Sequence, residues 1–350
     1  MPITDLESLR HHLQEALEIE HATIPPYLCA LYSIPEGSNR EAASVIRSVV
    51  MEEMLHLTLV ANVMNAVGGT PAIAKAGFIK PYPAFLPHSN DAFTIDLLPL
   101  NEDALETFLK IERPAPPHAP PEADRYHTIG QFYEAVEEAL QRLTSDMGAT
   151  EVFVGRAGKQ VPPGRWYYGG GGDVVPVTDL ESALRALKEI VHEGEGLRHS
   201  LWDGDSAREL AHYFRFAELR AQRRYRPQDT VESGPTGAEV PLDFGVVAPM
   251  RPNPRSDDYR GFPTIHRQMV NGNRIYTRLL RQLERAFTGT PSALGEAVPI
   301  MYEFRYQAEA LMRIPSPLSP GFTVGPSFEF EPDAGGPKGP PYGERRRAAL

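Results

Sequence analysis

The chain is 350 residues long with a formal net charge of −11 and ordinary hydrophobic (41%) and charged (23%) fractions, which fits a soluble globular protein with one large core, or one core and an appendage. The acidic balance argues against nucleic acid as a partner, because phosphate binding needs a basic face; the run Arg345-Arg346-Arg347 is only a short terminal tail. A single cysteine, Cys29, excludes an intrachain disulfide and any thiolate cluster, and fits a reducing cytoplasm.

The N-terminus carries Asp5 and Glu7 where a signal peptide would have basic and then apolar residues. A first helix is expected over about residues 4–34, capped by Thr4 with Glu7 three residues on. Leu6, Leu9, Leu13, Leu17, Glu20 and Ile24 follow at helical spacing, and Pro25-Pro26 should kink or interrupt the helix. A second helix is expected over about 40–67, with Asn39 as cap and Gly68-Gly69 as stop. Its seam reads Ala42, Ile46, Val49, Glu53, His56, Val60, Val63, Val67, with polar residues at two consecutive core positions. The uncharged stretch from Met54 to Ala74 contains His56, two asparagines, Gly68-Gly69 and Pro71, so it reads as core helix plus loop and not as a membrane span.

Residues 71–178 change character. Proline clusters and the Gly169–Gly172 run predict an irregular, partly β insertion with one helix from Ile129 to Leu143. The glycine run lacks a following Lys-Ser/Thr, so a turn is expected rather than a phosphate loop. Third and fourth bundle helices are expected over about 179–198 and 206–223, two more over about 262–287 and 292–313, and a Pro/Gly-rich extended tail over 316–350.

A carboxylate and an imidazole on a buried seam cost several kcal/mol unless compensated. Glu53 and His56 leave their helix on one face a turn apart, so one metal ion can take a His nitrogen and a Glu oxygen while the second Glu oxygen reaches another ion. A buried Glu–His hydrogen bond is the plainer reading of this pair alone. Three other segments repeat the anomaly. Glu20 continues the Leu13–Leu17 line, and His212 opens a stripe with Phe216 and Leu219, with Glu209 three residues before it. On the third helix Leu180, Leu184, Leu187 and Val191 define the expected apolar stripe. Winding at about 100° per residue puts Glu195 beside that stripe, His192 and His199 just beyond, and Glu189 and Glu193 on the far face. One Glu from each of two helices and Glu-x-x-His from each of two more is the di-iron carboxylate arrangement. The expected ligands are Glu20, Glu53, His56, Glu195 and His212, with Glu209, His192 and His199 as further candidates. Tyr27, seven residues after Glu20, is an ordinary core tyrosine or a catalytic residue beside the metals.

The strings Glu-His-Ala-Thr-Ile-Pro-Pro-Tyr (20–27), Met-Glu-Glu-Met-Leu-His (51–56), Glu-Gly-Glu-Gly (193–196), His-Tyr-Phe-Arg-Phe (212–216) and Ala-Leu-Met-Arg-Ile-Pro (310–315) resemble the ferritin-like family named after iminophenyl-pyruvate dimer synthase, from the N-terminus to about residue 330. His192 stands where many of those relatives are expected to carry Glu. The resemblance implies a mainly α protein: one ferritin-like four-helix bundle domain over 1–315, with a partly irregular/β insertion and additional C-terminal helices. The named activity couples two indole-3-pyruvate imines oxidatively in violacein-type biosynthesis and belongs to much longer proteins, so dimer synthesis is not carried over. What is implied is oxidation of a small, amino-acid-derived metabolite in secondary metabolism by O2 or peroxide, with two iron ions, or manganese in their place, as cofactor. A ferroxidase-like protein and a non-catalytic, metal-free bundle that binds partners are the other two readings; a homo-oligomer is compatible with all three.

Overall fold

The computed structural model describes residues 2–116, 118–164, 171–195, 201 and 210–332. Two long helices, α1 (Leu6–Ser33) and α2 (Arg40–Ala66), form its backbone. They are followed by a two-stranded antiparallel ribbon of β1 (Ala84–Phe85) and β2 (Thr94–Ile95), then α3 (Glu102–Ile111), α4 (Ile129–Met147) and the single turn α5 (Ala149–Val152). The chain continues through α6 (Leu180–Glu195), α7 (His212–Ala221), α8 (Pro263–Phe287) and α9 (Ala293–Leu311). Among the described residues, no helix is long and apolar enough to cross a membrane.

Helix α1 starts one residue later than the Thr4–Glu7 pattern predicts. Asp5 caps it: Ser8 N donates to Asp5 Oδ1 at 2.8 Å and Asp5 N donates to Ser8 Oγ at 3.0 Å, closing a reciprocal box that satisfies two otherwise orphaned amides. The helix also runs unbroken through Pro25-Pro26. Proline at position 26 removes the bond to the carbonyl four residues back, and that carbonyl, on Ala22, accepts instead from the Tyr82 hydroxyl at 3.3 Å. Asn39 precedes α2, but its side chain caps no helix amide. It clasps the backbone of Asp243, with both bonds at 2.8 Å. Gly68 follows the end of α2 at φ +76°, the left-handed turn that glycine adopts without penalty.

The four-helix ring differs from the expected one. Helix α1 packs on α2, α2 on α6, α6 on α4, and α4 back on α1. So α4, expected inside the insertion, is a bundle helix, buried through Phe132, Tyr133, Val136, Ala139 and Leu140. The expected fourth helix is shorter than its sequence pattern: Ala211 is extended and α7 begins at His212. It pairs with α3 across one end of the ring, where both touch the bundle. Helices α8 and α9 form a hairpin against the outer side of α1 and α2. The expected tail is ordered further than predicted, since Val324, Ser327 and Phe328 are buried and Glu329 accepts from Asn273 of α8 at 2.7 Å.

Candidate metal centre

Seven polar side chains meet in the interior between α1, α2, α3, α6 and α7. Glu20, Glu52, Glu53, His56, Glu112, Glu193 and His212 are all buried, none more than 5% exposed. Two ligand-sized groups stand out, Glu20–Glu53–His56 and Glu53–Glu112–His212, each offering donor atoms within 4.8 Å of one another. Glu53 belongs to both.

The first group is built on the α1–α2 contact. His56 Nδ1 lies 3.3 Å from Glu20 Oε2 and 3.9 Å from Glu53 Oε2. Its other nitrogen, Nε2, is 2.7 Å from Glu193 Oε2 of α6. In the second group His212 Nδ1 lies 3.0 Å from Glu53 Oε1 and 3.5 Å from Glu112 Oε2, while Nε2 is 2.7 Å from Glu52 Oε2. The two halves repeat one scheme: Nε2 of each imidazole meets an outer carboxylate and Nδ1 faces the inner ones, so that in the neutral, metal-binding form the outer carboxylate would fix the tautomer and turn the Nδ1 lone pair inward. The outer carboxylates are held in turn. Glu52 Oε1 accepts from Arg215 at 2.8 Å and from the backbone of Gly171 at 3.1 Å. Beside Glu193, Gly172 has φ +73°, and a Cβ there would come within 2.1 Å of the carboxylate, so only glycine lets the chain approach this closely.

The inner carboxylates are anchored by hydroxyls. Tyr133 of α4 donates to Glu20 Oε1 at 2.5 Å, Tyr27 of α1 donates to Glu112 Oε1, and Thr23 donates to Glu53 Oε2 at 2.8 Å.

Electrostatics set this cluster apart from an ordinary buried ion pair. Five carboxylates face one guanidinium and two imidazoles. Burial pushes Glu53 up to about 7, and the neighbouring Glu112 charge adds to it. Burial also opposes charge on His56 and His212, but Glu193 and Glu20 around the first, and Glu112 and Glu52 around the second, raise both well above the usual imidazole range. Glu52 is held well below the usual carboxylate range: burial raises it, and the bonds from His212 and Arg215 outweigh that. Without a cation the excess negative charge has to be met by protons.

A metal ion fits what the residues leave open. His212 Nδ1 is fully enclosed and, among the described residues, makes no hydrogen bond, although two carboxylate oxygens lie within 3.5 Å. Mixed oxygen and imidazole donors suit iron, manganese or zinc rather than calcium or copper(I). The two groups share one carboxylate, that of Glu53.

The structure brings Glu20, Glu53, His56 and His212 together as expected. It does not place Glu195 in either group. That carboxylate accepts from Gly130 N at 2.7 Å and Ala115 N at 2.9 Å, where it anchors the start of α4. His192 is half-buried on α6 and is in neither group. His199 and Glu209 lie outside the described residues. Glu193 is a correction: it is buried and touches His56, not on a far face. The buried stripe of α6 is Ala183, Ala186, Leu187, Ile190 and Gly194, rotated from the leucine and valine stripe because its small residues carry little hydropathy signal.

Glu112, Glu52 and Tyr133 were not anticipated. Glu112 ends α3, whose signals were present: Asn101 as cap, with its side chain 2.8 Å from Ala104 N, two acids in the first turn and apolar residues at 104, 105, 108 and 111. Glu52 is harder to see, because α2 is buried on almost every side from Leu55 to Ala66, so periodicity does not separate its faces.

A family model described as Ferritin-like matches residues 13–221, which takes in every residue of the cluster. The chain is 25% identical, over an alignment covering 94% of its length, to dichlorochromopyrrolate synthase of Lentzea aerocolonigenes. It spans about a third (36%) of that protein's own length. Among solved structures, a ferritin-like protein from Caulobacter vibrioides superposes with a TM-score of 0.59 at 22% identity, covering 95% of this chain and 100% of that one; this is a likeness of fold.

Proposed function

The chain belongs to the ferritin-like family, and from that premise we propose that it is a non-haem metal-dependent oxidase or oxygenase with two iron ions, acting on a small, amino-acid-derived metabolite in secondary metabolism. The observation that carries the reading is the pair of donor groups sharing Glu53, each with an imidazole Nδ1 turned inward. Glu20 and His56 would hold one ion, Glu112 and His212 the other, and Glu53 would bridge them. Manganese is compatible with the same donors.

When bound, such a pair of ions supplies the redox equivalents for activating O2 or peroxide. The residues supply the rest. Glu193 and Glu52 keep the two imidazoles in the tautomer that presents Nδ1. Tyr133, Tyr27 and Thr23 hold Glu20, Glu112 and Glu53 in register, so the ligand set is aimed before any ion arrives. Tyr27 therefore acts as a positioning residue. A small void of about 20 Å³ opens directly on these donors: Glu20, Glu53, His56 and Glu112 line it together with Ile111, Ile129, Ile190 and Val191, room for about one water-sized molecule.

The substrate class rests on the relative's name and on the five sequence strings. That relative is a synthase of dichlorochromopyrrolate and is much longer, so only oxidative chemistry on a small metabolite is proposed for this chain.

The test is anaerobic purification, removal of metal, loading with iron(II), and exposure to O2 with and without candidate substrates. About two ions per chain and substrate-dependent oxygen consumption are expected. Wild type that takes up no metal under any condition overturns the reading. Rapid oxygen consumption without substrate, with mineral formed, would identify a ferroxidase-like protein instead.

A further inference from the structure

The hairpin of α8 and α9 does not seal against α1 and α2. Between them lies a cleft of about 320 Å³ lined by Leu28, Met51, Met54, Leu279, Leu283 and Met301 among others. That volume is within the range of small-molecule sites, about 300–1,000 Å³. It shares Tyr32, Arg47, Tyr302 and Arg305 with a second depression of about 560 Å³ that extends past Ser38 and Arg40. The inner end is closed by His21 and Tyr276, hydrogen-bonded at 2.7 Å.

We propose that this cleft is a second binding site, distinct from the metal centre, for a small carboxylic acid with an apolar body. Its walls and its mouth have different chemistry. The walls are leucine, methionine and aromatic side chains, which accept a flat or flexible hydrocarbon without demanding one shape. The mouth carries three arginines, Arg40, Arg47 and Arg305, against one lining acid, Glu36. Arg305 already pairs with Glu309 at 2.7 Å, but Arg47 makes no ion pair among the described residues. Arg40 and the Tyr32 and Tyr302 hydroxyls stand nearby in the shared rim. An apolar body with one anionic end matches both parts, and a guanidinium recognises a carboxylate better than any neutral group.

Helix geometry keeps this site apart from the metals. On α1, residues 20, 23 and 27 face the metal centre, while 21, 24 and 28 line the cleft. On α2, 52, 53 and 56 belong to the centre and 50, 54 and 57 to the cleft. Each set follows a separate helical stripe. The two sites share helices α1 and α2 and no side chain, so a ligand in the cleft is not in contact with the metal ligands.

The probe is 1-anilinonaphthalene-8-sulfonate, an apolar anion that fluoresces when sheltered, displaced from the full-length protein by decanoate, by 1-naphthoate, and by their neutral alcohols. Both acids should displace it, each about tenfold more tightly than its alcohol, the worth of one charge-assisted contact. Arg47→Ala should remove that preference and leave the alcohols unchanged. Leu283→Trp and Met54→Trp, each filling the cleft from a different helix, should abolish displaceable binding, with near-ultraviolet circular dichroism confirming that the fold persists. Glu53→Ala should retain the binding, which separates this site from the metal reading. The proposal is overturned if acids and alcohols compete equally in wild type, or if both tryptophan variants bind the probe as before. It is also overturned if sedimentation shows a dimer that the tryptophan variants dissociate, which would make the cleft a contact between two copies. Binding that emerges only after removal of residues 333–350 would likewise overturn it, by assigning the cleft to the chain's own C-terminal segment.

Discussion

The imidazoles of His56 and His212 lie nearly parallel, with ring centroids 5.5 Å apart and 26° between their planes. They come from helices far apart in sequence, yet each directs Nδ1 toward Glu53 and Nε2 to a separate carboxylate at 2.7 Å. Two imidazoles held this way, both pushed toward the charged form by surrounding carboxylates, would repel each other if both were protonated. Metal ions held by the same two nitrogens would take up both lone pairs and would neutralise the carboxylates as well.

Sharing of Glu53 predicts unequal losses. Glu20→Gln and Glu112→Gln should each remove one ion, leaving about one per chain, while Glu53→Gln should remove nearly all bound metal. Elemental analysis after iron(II) loading and desalting measures this. Equal loss in all three variants would show that the two groups do not act as separate half-sites joined by Glu53.

The outer carboxylates give a second expectation. Glu193→Gln and Glu52→Gln leave every inner donor in place but weaken the acceptor that orients an imidazole. Metal affinity should fall about 10- to 100-fold, the usual cost of losing such a partner, read by competition with a chromophoric chelator. Glu52→Gln should have the larger effect, since it also replaces the charged acceptor of the Arg215 contact at 2.8 Å by a neutral amide.

How much of this was legible in the sequence depended on helix length and on side-chain size. The bounds of α1, α2, α8 and α9 follow from long apolar periodicities and came out within a few residues. Glu20, Glu53 and His56 stand on such stripes, and polarity there is conspicuous. Glu112 sits at the end of a ten-residue helix in a proline-rich stretch, where a short amphipathic pattern is easily passed over. The inward face of α6 is marked by alanine and glycine, which lets neighbouring helices approach but registers weakly as hydrophobic. That α4 rather than α7 closes the ring is a tertiary fact, set by which helix packs on both α1 and α6; no local pattern encodes it.

Glu137, one turn beyond Tyr133 on α4 and in neither donor group, gives a pH-dependent prediction. Burial pushes its carboxyl up to about 7, partly offset by Lys188. Because the folded value lies above the ordinary 4.5, the native state favours the neutral form. The associated stability is fully present below pH 4.5 and is lost as pH rises through 7. Glu137→Gln, which stays neutral, should therefore raise the melting temperature at pH 8 and leave it nearly unchanged at pH 4.5. The gain at pH 8 is about 1 kcal/mol, allowing for solvent screening of a half-buried group. An equal effect at both pH values would trace the change to packing instead of ionisation.

Glu195 separates a ligand from an anchor. As a ligand, its removal should lower bound metal; as an anchor, it should cost stability alone. Its two oxygens accept the backbone amides of Gly130 and Ala115, and a Cβ on Gly130 would come within 2.5 Å of the carboxylate, so the group is fitted to the backbone at the start of α4. Glu195→Ala orphans both amides in a buried setting, at about 1–3 kcal/mol each. The expected result is a lower urea midpoint with about two ions still bound, since Tyr133, two residues after Gln131 in α4, is held to Glu20 through the rest of the helix. Loss of metal without loss of stability would instead make Glu195 a ligand and require α6 to turn its last residue toward Glu112.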